Sequence, residues 1–413
     1  MLSQFFDSAT RIHTLRHGPA GPQVEGFAKG LAHAQYAEIT ARGHLRSAEH
    51  FIYWADRVGI SVRGLTEQTL ERFGRHLRQC RCPRFGHTFR VHVLYGARLF
   101  LRYLQETAIV ASAVERAVPG PALFIAFCQW MRDQRGTCDS TLANYGVHIR
   151  ALLTHLGDEP DTFDARGLRQ FVMEAHHTGG WAAAKKRTTA LRMFLRFLIA
   201  EGKCESGLTG AIPVLAHWRL SALPRYLPPE DVERVLASCD LTSPVGRRDQ
   251  AILLLLARLG LRAGDIVTLR LGDLDWKGAW INVCGKGRRT TRLPLTHEVG
   301  QALVRYIKDG RPRTDTDAVF VRCRAPFRPF RSHCTVSVLV DRAFSRARVT
   351  RPSRGAAHLL RHSVATSMLR HGASLHEIAA LLRHRSIETT QIYAKVDVMA
   401  LSTIAQPWPE VQS

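Results

Sequence analysis

The sequence predicts a mainly helical protein that carries one small antiparallel sheet in its carboxy-terminal half. Three observations lead to this prediction. Apolar residues recur at helical spacing through two blocks, 1–112 and 119–215. The stretch from Trp280 to Leu295 alternates apolar and polar residues on both sides of a glycine-flanked turn, as a β-hairpin does. The segment 358–393 returns to helical spacing, with Gly372 ending one helix and Ser374 capping the next.

Length and charge limit the class of protein. A chain of 413 residues is long enough for two or three domains with substantial cores. Its formal net charge of +23 implies a polyanionic partner, and nucleic acid fits better than a membrane. The longest apolar run, Ala251 to Ala257, is cut by Arg258 and is far shorter than the ~20 residues of a membrane span. The amino terminus lacks the basic and apolar regions of a signal peptide. We therefore expect a cytoplasmic, nucleoid-associated protein that binds double-stranded DNA and no membrane.

Proline-rich stretches indicate the domain boundaries. Pro119 to Pro121 separates the two helical blocks, and Pro213 to Pro229 separates the second block from the rest of the chain. We expect an extra amino-terminal helical domain over 1–116, a second helical domain over 117–215, and a third domain over 225–413.

Cysteine usage favours reduced thiols. Nine cysteines, an odd number, lie scattered along a chain without a secretion signal. The one cluster typical of a metal site contains Cys80, Cys82 and His87. It lacks a fourth ligand at suitable spacing, and C-x-C lacks the two-residue gap that is usual for zinc. The sequence therefore predicts no metal site.

Four polar residues stand out in the carboxy-terminal segment. His358 and Arg361 share a helical face beside an apolar face, His384 follows the next helix, and Tyr393 comes nine residues later. Each residue alone is more typical of a surface or of packing. Together they resemble the tyrosine recombinases, the phage integrase and Xer-like family, whose pattern is H-x-x-R-H, L-G-H and a tyrosine nine residues on. The visible departure is Arg383, where the family usually has glycine.

Two upstream motifs extend this resemblance to residues 225–405. The turn G-L-R-A-G-D places Arg262 in the family's G-L-R-x-x-E motif, with Asp265 in place of glutamate. Lys286 lies at the tip of the predicted hairpin, where the family has its lysine. The resemblance implies a mixed α+β catalytic domain with a small antiparallel sheet, and a helical, SAM-like core-binding domain over 117–215 that clamps DNA.

The resemblance also implies a function. The protein is expected to be a site-specific DNA recombinase of the integrase or transposase type, acting through a 3′-phosphotyrosyl intermediate. Tyr393 is the expected nucleophile, because a phenolate attacks well and also leaves well, so that the joint is reversible. Arg262 and Arg361 are expected to neutralise the phosphate oxygens through planar, bidentate contacts, and His384 to donate to the same phosphate. The synaptic complex is expected to be a homo-tetramer, or a hetero-tetramer with partner recombinases.

The remaining roles concern protons and positioning. His358 is expected to assist proton transfer from Tyr393, and Lys286 to protonate the leaving 5′ oxygen. Asp265 lies one turn from Arg262 and is expected to orient it. The chemistry needs neither a metal nor another cofactor. Three further arginines beside the hairpin are expected to contact DNA: Arg288, Arg289 and Arg292.

Two alternative functions stay open from the sequence. A type IB topoisomerase uses the same residues to relax DNA without a partner site. A non-catalytic accessory subunit binds DNA without cutting it. The complete set of six catalytic positions favours catalysis over the second alternative.

Overall fold

The computed structural model describes residues 1–83, 85, 90–111, 121–215, 223–285, 290–350, 355–384 and 386–396. The chain forms two compact units. Residues Gln105–Arg219 form one unit, and Met1–Leu104 together with Leu220–Ser413 form the other. The division into three domains expected from the sequence stays a prediction.

The amino-terminal block is helical, as its apolar spacing predicts. Phe51, Phe73 and Phe100 are fully buried in it, because their helices turn one apolar face inward. The hydroxyl of Thr66 accepts a hydrogen bond from the backbone N–H of Thr69 and so starts the fourth helix. The helices are α1 (Ala9–His17), α2 (Gly21–His33), α3 (Glu38–Arg57), α4 (Glu67–His76) and α5 (Arg90–Glu106).

The unit Gln105–Arg219 also has a helical core. Phe127, Leu152, Phe194 and Phe197 are buried at its centre. Its longest helix is kinked at Gly180, whose φ of +69° lies outside the helical region. The helices are α6 (Ala122–Arg135), α7 (Asp139–Leu156), α8 (Ala165–Ala200) and α9 (Leu208–Ala211).

The carboxy-terminal region surrounds one buried helix. Residues Ala251–Ala257 of that helix are all buried, so the longest apolar run of the sequence is a core element. Within the described residues, no helix is both long and apolar enough to cross a membrane. The helices are α10 (Pro229–Ala237), α11 (Pro244–Ala257), α12 (Ala263–Thr268), α13 (His297–Asp309), α14 (His333–Ala347), α15 (Ala356–Arg370) and α16 (Leu375–Leu382).

The carboxy-terminal region also contains a three-stranded antiparallel sheet, whose strand order is β1-β2-β3. Its strands are β1 (Leu274–Asp275), β2 (Trp280–Cys284) and β3 (Thr290–Pro294). Ile281 pairs with Leu293 and both side chains are buried, which confirms the predicted hairpin and its alternation. The last pair is Cys284 with Thr290. Residues 286–289 of the connection lie outside the described residues.

The chain after α15 follows the predicted boundaries closely. Ser374 and Glu377 form the capping box that starts α16. Tyr393 lies on the second of two 3₁₀ helices that follow α16, Ile387–Thr389 and Gln391–Val396. Thr390 lies between them, and its fully buried hydroxyl contacts the ring of His384.

Candidate active site

The structure brings together five of the residues that the sequence motifs single out. Arg361 lies close enough to His358, His384 and Tyr393 to influence the charge of each side chain. Arg262 acts on His358 and His384 in the same way. Residues more than 120 positions apart in the sequence therefore share one site.

Arg361 connects three segments of the chain at this site. Its guanidinium donates hydrogen bonds to the backbone carbonyls of Gly260 and Leu382, while its side chain is almost fully buried. Gly260 has a φ of +58°, and a Cβ there would lie 2.7 Å from a methyl of Leu382. Glycine is therefore needed for the turn before Arg262 to pack closely against the end of α16.

Tyr393 packs into a small apolar cluster and points its hydroxyl at a histidine. The tyrosine side chain is 1% exposed and lies among residues such as Ala365 and Leu382. Its hydroxyl is 2.6 Å from Nδ1 of His362. The histidine in contact with the hydroxyl is therefore His362, and the assisting role expected of His358 stays a prediction.

His384 is held by the segment that carries Tyr393. Its Nδ1 lies 2.7 Å from the hydroxyl of Thr390. Arg383, the residue before it, ends α16 in the left-handed conformation with a φ of +54°. That turn carries His384 away from the helix axis and back toward Arg361 and Arg262.

Asp265 supports Arg262 through the backbone. Its carboxylate accepts a hydrogen bond of 2.8 Å from the backbone N–H of Arg262, at the start of α12. The same oxygen pairs with the guanidinium of Arg383. Arg262 in turn donates to the backbone carbonyl of Arg383 at 3.2 Å. Arg383, the residue that departs from the family pattern, therefore contacts both Asp265 and Arg262.

Burial determines the protonation states of the site. It raises the pKa of the Tyr393 hydroxyl to about 12, against the opposing effect of Arg361. It lowers the pKa of His362 to about 4, helped by His358 and Arg361, and that of His384 to about 4, helped by Arg361 and Arg262. His358 is exposed at the edge of the site, yet partial desolvation and the charge of Arg361 lower its pKa as well. At neutral pH the histidines are therefore neutral and the tyrosine protonated.

The site holds an excess of positive charge. Burial, Arg262 and Arg383 lower the pKa of Arg361 to about 9, because each disfavours another buried cation. Nε and Nη1 of Arg383 are buried without a hydrogen-bond partner among the described residues. In the described part of the chain, Asp265 pairs with Arg383. An anion such as a phosphate diester complements the remaining charge.

Of the four basic hairpin residues expected to act on or contact DNA, the structure describes one. Lys286, Arg288 and Arg289 lie outside the described residues. Arg292 lies on β3 with an exposed side chain, which makes a 3.3 Å ion pair with Asp275 and covers the ring of Trp280. It lies at the surface, on the strand that follows Lys286.

Sequence reasoning missed two residues that contact predicted site residues. His362 directly follows Arg361 and lies one turn from His358, and the second histidine of the H-x-x-R-H pattern was the available signal. Thr390 has no comparable signal, because its contact with His384 depends on how the chain folds back after α16.

Comparisons with known proteins identify the family of the chain. The model of the phage integrase family matches residues 225–399. A protein of Sinorhizobium fredii named as an integrase/recombinase is 37% identical over 400 residues, which cover 95% of both chains. The tyrosine recombinase XerD of Lacticaseibacillus casei is 30% identical over 66% of this chain and 92% of its own.

Solved structures show the same fold at lower identity. XerH recombinase bound to a palindromic difH substrate is 19% identical with a TM-score of 0.54, over 83% of this chain and 96% of its own. A lambda integrase dimer bound to a core site is also 19% identical, with a TM-score of 0.52, over 70% of this chain and 98% of its own.

The family match and these relatives define a DNA strand transferase of the tyrosine type. The chain belongs to the phage integrase family of tyrosine recombinases. It is a site-specific DNA recombinase, an enzyme that cleaves and rejoins DNA strands. The relatives support neither the topoisomerase nor the accessory-subunit alternative.

Proposed function

We propose that Tyr393 is the nucleophile of this recombinase and that His362 accepts its proton. The contact of 2.6 Å between the tyrosine hydroxyl and His362 Nδ1 carries this proposal. A phenol with a pKa raised to about 12 is protonated at neutral pH, so attack requires a base. His362 is neutral under the same conditions and can take the proton.

Cleavage of a DNA strand is then a transesterification at phosphorus. The oxygen of Tyr393 attacks the phosphorus of a DNA phosphodiester, and the bond from phosphorus to the 5′ oxygen breaks. The phosphate stays joined to the 3′ side through tyrosine, and the 5′ hydroxyl leaves. A second 5′ hydroxyl attacks this 3′-phosphotyrosyl joint to rejoin strands. The Tyr393 side chain is 1% exposed, so its segment has to shift before the hydroxyl reaches a phosphate.

Positive charge in the site neutralises the phosphate oxygens. Arg262 and Arg361 are the proposed donors, since a guanidinium keeps its charge and offers several N–H groups. Arg361 donates two hydrogen bonds to the carbonyls of Gly260 and Leu382, which hold its guanidinium in place. His384 is held through Nδ1 by Thr390 and directs its other ring nitrogen to the same phosphate. His358, at the exposed edge, is proposed to contact the DNA backbone.

Lys286 is the proposed general acid for the leaving 5′ oxygen. The support is its position in the sequence, between two strands whose pairing is established. Arg288, Arg289 and Arg292 are proposed DNA contacts on the same hairpin.

Double-stranded DNA is the proposed substrate. A net charge of +23 supports it, as do the solved relatives that carry DNA. Strand exchange between two sites requires four active subunits, so we propose a synaptic tetramer, formed by this chain alone or with partner recombinases. A recombinase acts where genomic DNA lies, and we propose that it works at the nucleoid in the cytoplasm. The amino-terminal, core-binding and catalytic domains are proposed at 1–116, 117–215 and 225–413.

Tyr393→Phe tests the nucleophile. The substrate is a nicked DNA duplex whose short 5′ fragment diffuses away after cleavage and so traps the covalent complex. We expect the wild-type protein to form a protein–DNA adduct on a denaturing gel and Tyr393→Phe to form none. Binding in a gel-shift assay should change less than threefold, because one oxygen is lost from a side chain whose ring still fills the cluster.

Tyr306→Phe is the matched control. Tyr306 is also fully buried, and its hydroxyl oxygen accepts a hydrogen bond from the backbone N–H of Val321. This variant should keep the adduct. Adduct formation by Tyr393→Phe at the wild-type rate would overturn the assignment.

A further inference from the structure

A cluster of two histidines and two cysteines lies in the amino-terminal block. The four residues are His50, His76, Cys80 and Cys82. Each offers one ligand atom, and these four atoms lie within 4.8 Å of one another. Among the described residues, this is the one group of histidine, cysteine or acidic side chains placed closely enough to hold a metal ion. The recombinase chemistry does not use any of these residues.

The four residues come from three parts of the block. His50 lies on α3, His76 is the last residue of α4, and both cysteines lie in the segment after α4. Nε2 of His50 is 3.3 Å from Sγ of Cys80, and Nε2 of His76 is 3.3 Å from Sγ of Cys82. The backbone N–H of Cys82 also donates to Sγ of Cys80 at 3.4 Å. Such an N–H···S contact stabilises negative charge on a sulfur atom.

These distances suit one tetrahedral ion. Zinc bonds of about 2.3 Å to sulfur and about 2.0 Å to nitrogen place tetrahedral sulfur and nitrogen ligands roughly 3.5 Å apart. Both measured Sγ–Nε2 separations are 3.3 Å. The ligand atoms of the group are at most 4.8 Å apart. This is about an ångström more than the separation of two sulfur ligands on one tetrahedral zinc ion, and small side-chain rotations close the difference.

Aromatic rings pack against the two histidines of the cluster. Phe85 stacks on the His50 ring at 4.2 Å with an angle of 5° between the planes, and Phe73 meets the same ring edge-on at 5.1 Å. The Trp54 ring lies 5.7 Å from that of His76. Two ligands, His50 and Cys80, are themselves buried. An apolar shell limits access of water and orients the ligand rings.

The ligand types select the metal class. Two thiolates with two imidazoles in a tetrahedral arrangement favour zinc over calcium or magnesium, which prefer oxygen. The set differs from the Cys80, Cys82 and His87 considered from sequence: His87 lies outside the described residues, and the other two ligands come from helices. His50 precedes His76 by 26 residues, a spacing without a motif.

We propose that His50, His76, Cys80 and Cys82 form a structural zinc site. The ion ties the segment after α4 to α3 and α4, and its binding free energy contributes to the folding of this block. Four protein ligands fill the tetrahedron, so the site has no open position for catalysis. The ion replaces the thiol protons of the two cysteines.

Metal content tests the proposal on the full chain, purified without a histidine tag. We expect about one zinc per chain by mass spectrometry after gel filtration, and less than a tenth of that in Cys80→Ser and Cys82→Ser. The controls are Cys138→Ser and Cys334→Ser, since both cysteines are exposed and outside the cluster. These controls should keep the full zinc content.

Cobalt provides a second readout that does not depend on the variants folding. Wild-type protein stripped with a chelator and loaded with Co²⁺ should show the strong visible bands of tetrahedral cobalt and a thiolate charge-transfer band in the near ultraviolet. Stripping should also make two more thiols reactive toward a disulfide reagent. A wild-type protein without zinc and without these cobalt bands would show that the cluster contains only thiol–imidazole hydrogen bonds. Full zinc content in both cysteine variants would equally overturn the proposal.

Discussion

Arg383 pairs with Asp265 from a position 118 residues later in the chain, and both side chains are less than a tenth exposed. The residue occupies a left-handed turn, with a φ of +54°. Glycine, the usual residue of the family there, adopts this conformation without steric cost. Here the ion pair offsets that cost, because it joins the end of α16 to the carboxylate that also caps Arg262 at the start of α12.

Replacing Arg383 separates two contributions to the free energy of unfolding, the strain of the left-handed turn and the charge of the ion pair. Arg383→Ala and Arg383→Gly both remove the partner of buried Asp265, and losing one member of a buried pair costs about 3–5 kcal/mol at most. Arg383→Gly should be the more stable of the two by ~1 kcal/mol, because it also relieves the left-handed turn. Urea unfolding at pH 7 measures both free energies.

The double variant Asp265→Asn/Arg383→Gly is the control. Asparagine keeps an oxygen that can accept from the backbone N–H of Arg262 but carries no charge, so part of the lost stability should return. Equal stability of the alanine and glycine variants would contradict the turn argument. A double variant less stable than Arg383→Gly would contradict the charge argument.

His362 and His358 should differ in their effect on cleavage. His362→Asn keeps a polar group near the Tyr393 hydroxyl but cannot accept a proton, so cleavage should fall ~10² to 10⁴-fold, the usual contribution of a general base. His358→Gln is the matched variant one turn away, and it should lose less than tenfold. Single-turnover formation of the covalent adduct on the nicked duplex measures both rates. A larger loss in His358→Gln than in His362→Asn would return the proton-transfer role to His358.

Stability should fall as the pH is lowered from about 6.5 to about 4. The pKa values of His362 and His384 are lowered from 6.5 to about 4 by burial, so the unfolded chain binds these protons first. The contribution of each neutral histidine is therefore fully present above pH 6.5 and is lost as the pH falls toward 4. By pH 5 the loss should be roughly 1–2 kcal/mol per histidine.

Urea unfolding at pH 7 and pH 5 checks this dependence. His362→Asn should reduce the difference between the two pH values, because it removes one of the titrating groups. Substitution of exposed His371, as the control, should leave the difference unchanged. A protein equally stable at both pH values would contradict the burial argument.

The sequence predicted the elements of the site better than their contacts. Motif spacing located Arg262, Arg361, His384 and Tyr393, because each is tied to a turn or helix end that leaves a local signal. It could not choose between two histidines one turn apart on α15, since that choice depends on where the segment Gln391–Val396 crosses the helix. For a similar reason the sequence singled out Cys80 and Cys82 but not His50 and His76, which lie on helices that meet only in three dimensions.

Lys286 as general acid gives a prediction that depends on the chemistry of the leaving group. An alkoxide leaves slowly unless a proton arrives as the bond breaks, whereas a thiolate leaves without one. Lys286→Ala should therefore slow cleavage of an ordinary strand ~10² to 10⁴-fold. Cleavage of a strand with sulfur in place of the bridging 5′ oxygen should stay within about threefold of the wild-type rate, because the missing proton is no longer needed.

Arg292→Ala is the matched control on the same hairpin. Its exposed side chain pairs with Asp275, so any DNA contact it makes is electrostatic and should affect both substrates equally. Single-turnover rates of the two variants on both strands give the comparison. If Lys286→Ala slows the sulfur-bridged strand as much as the ordinary one, Lys286 only holds the phosphate, and the proton for the 5′ oxygen comes from another group.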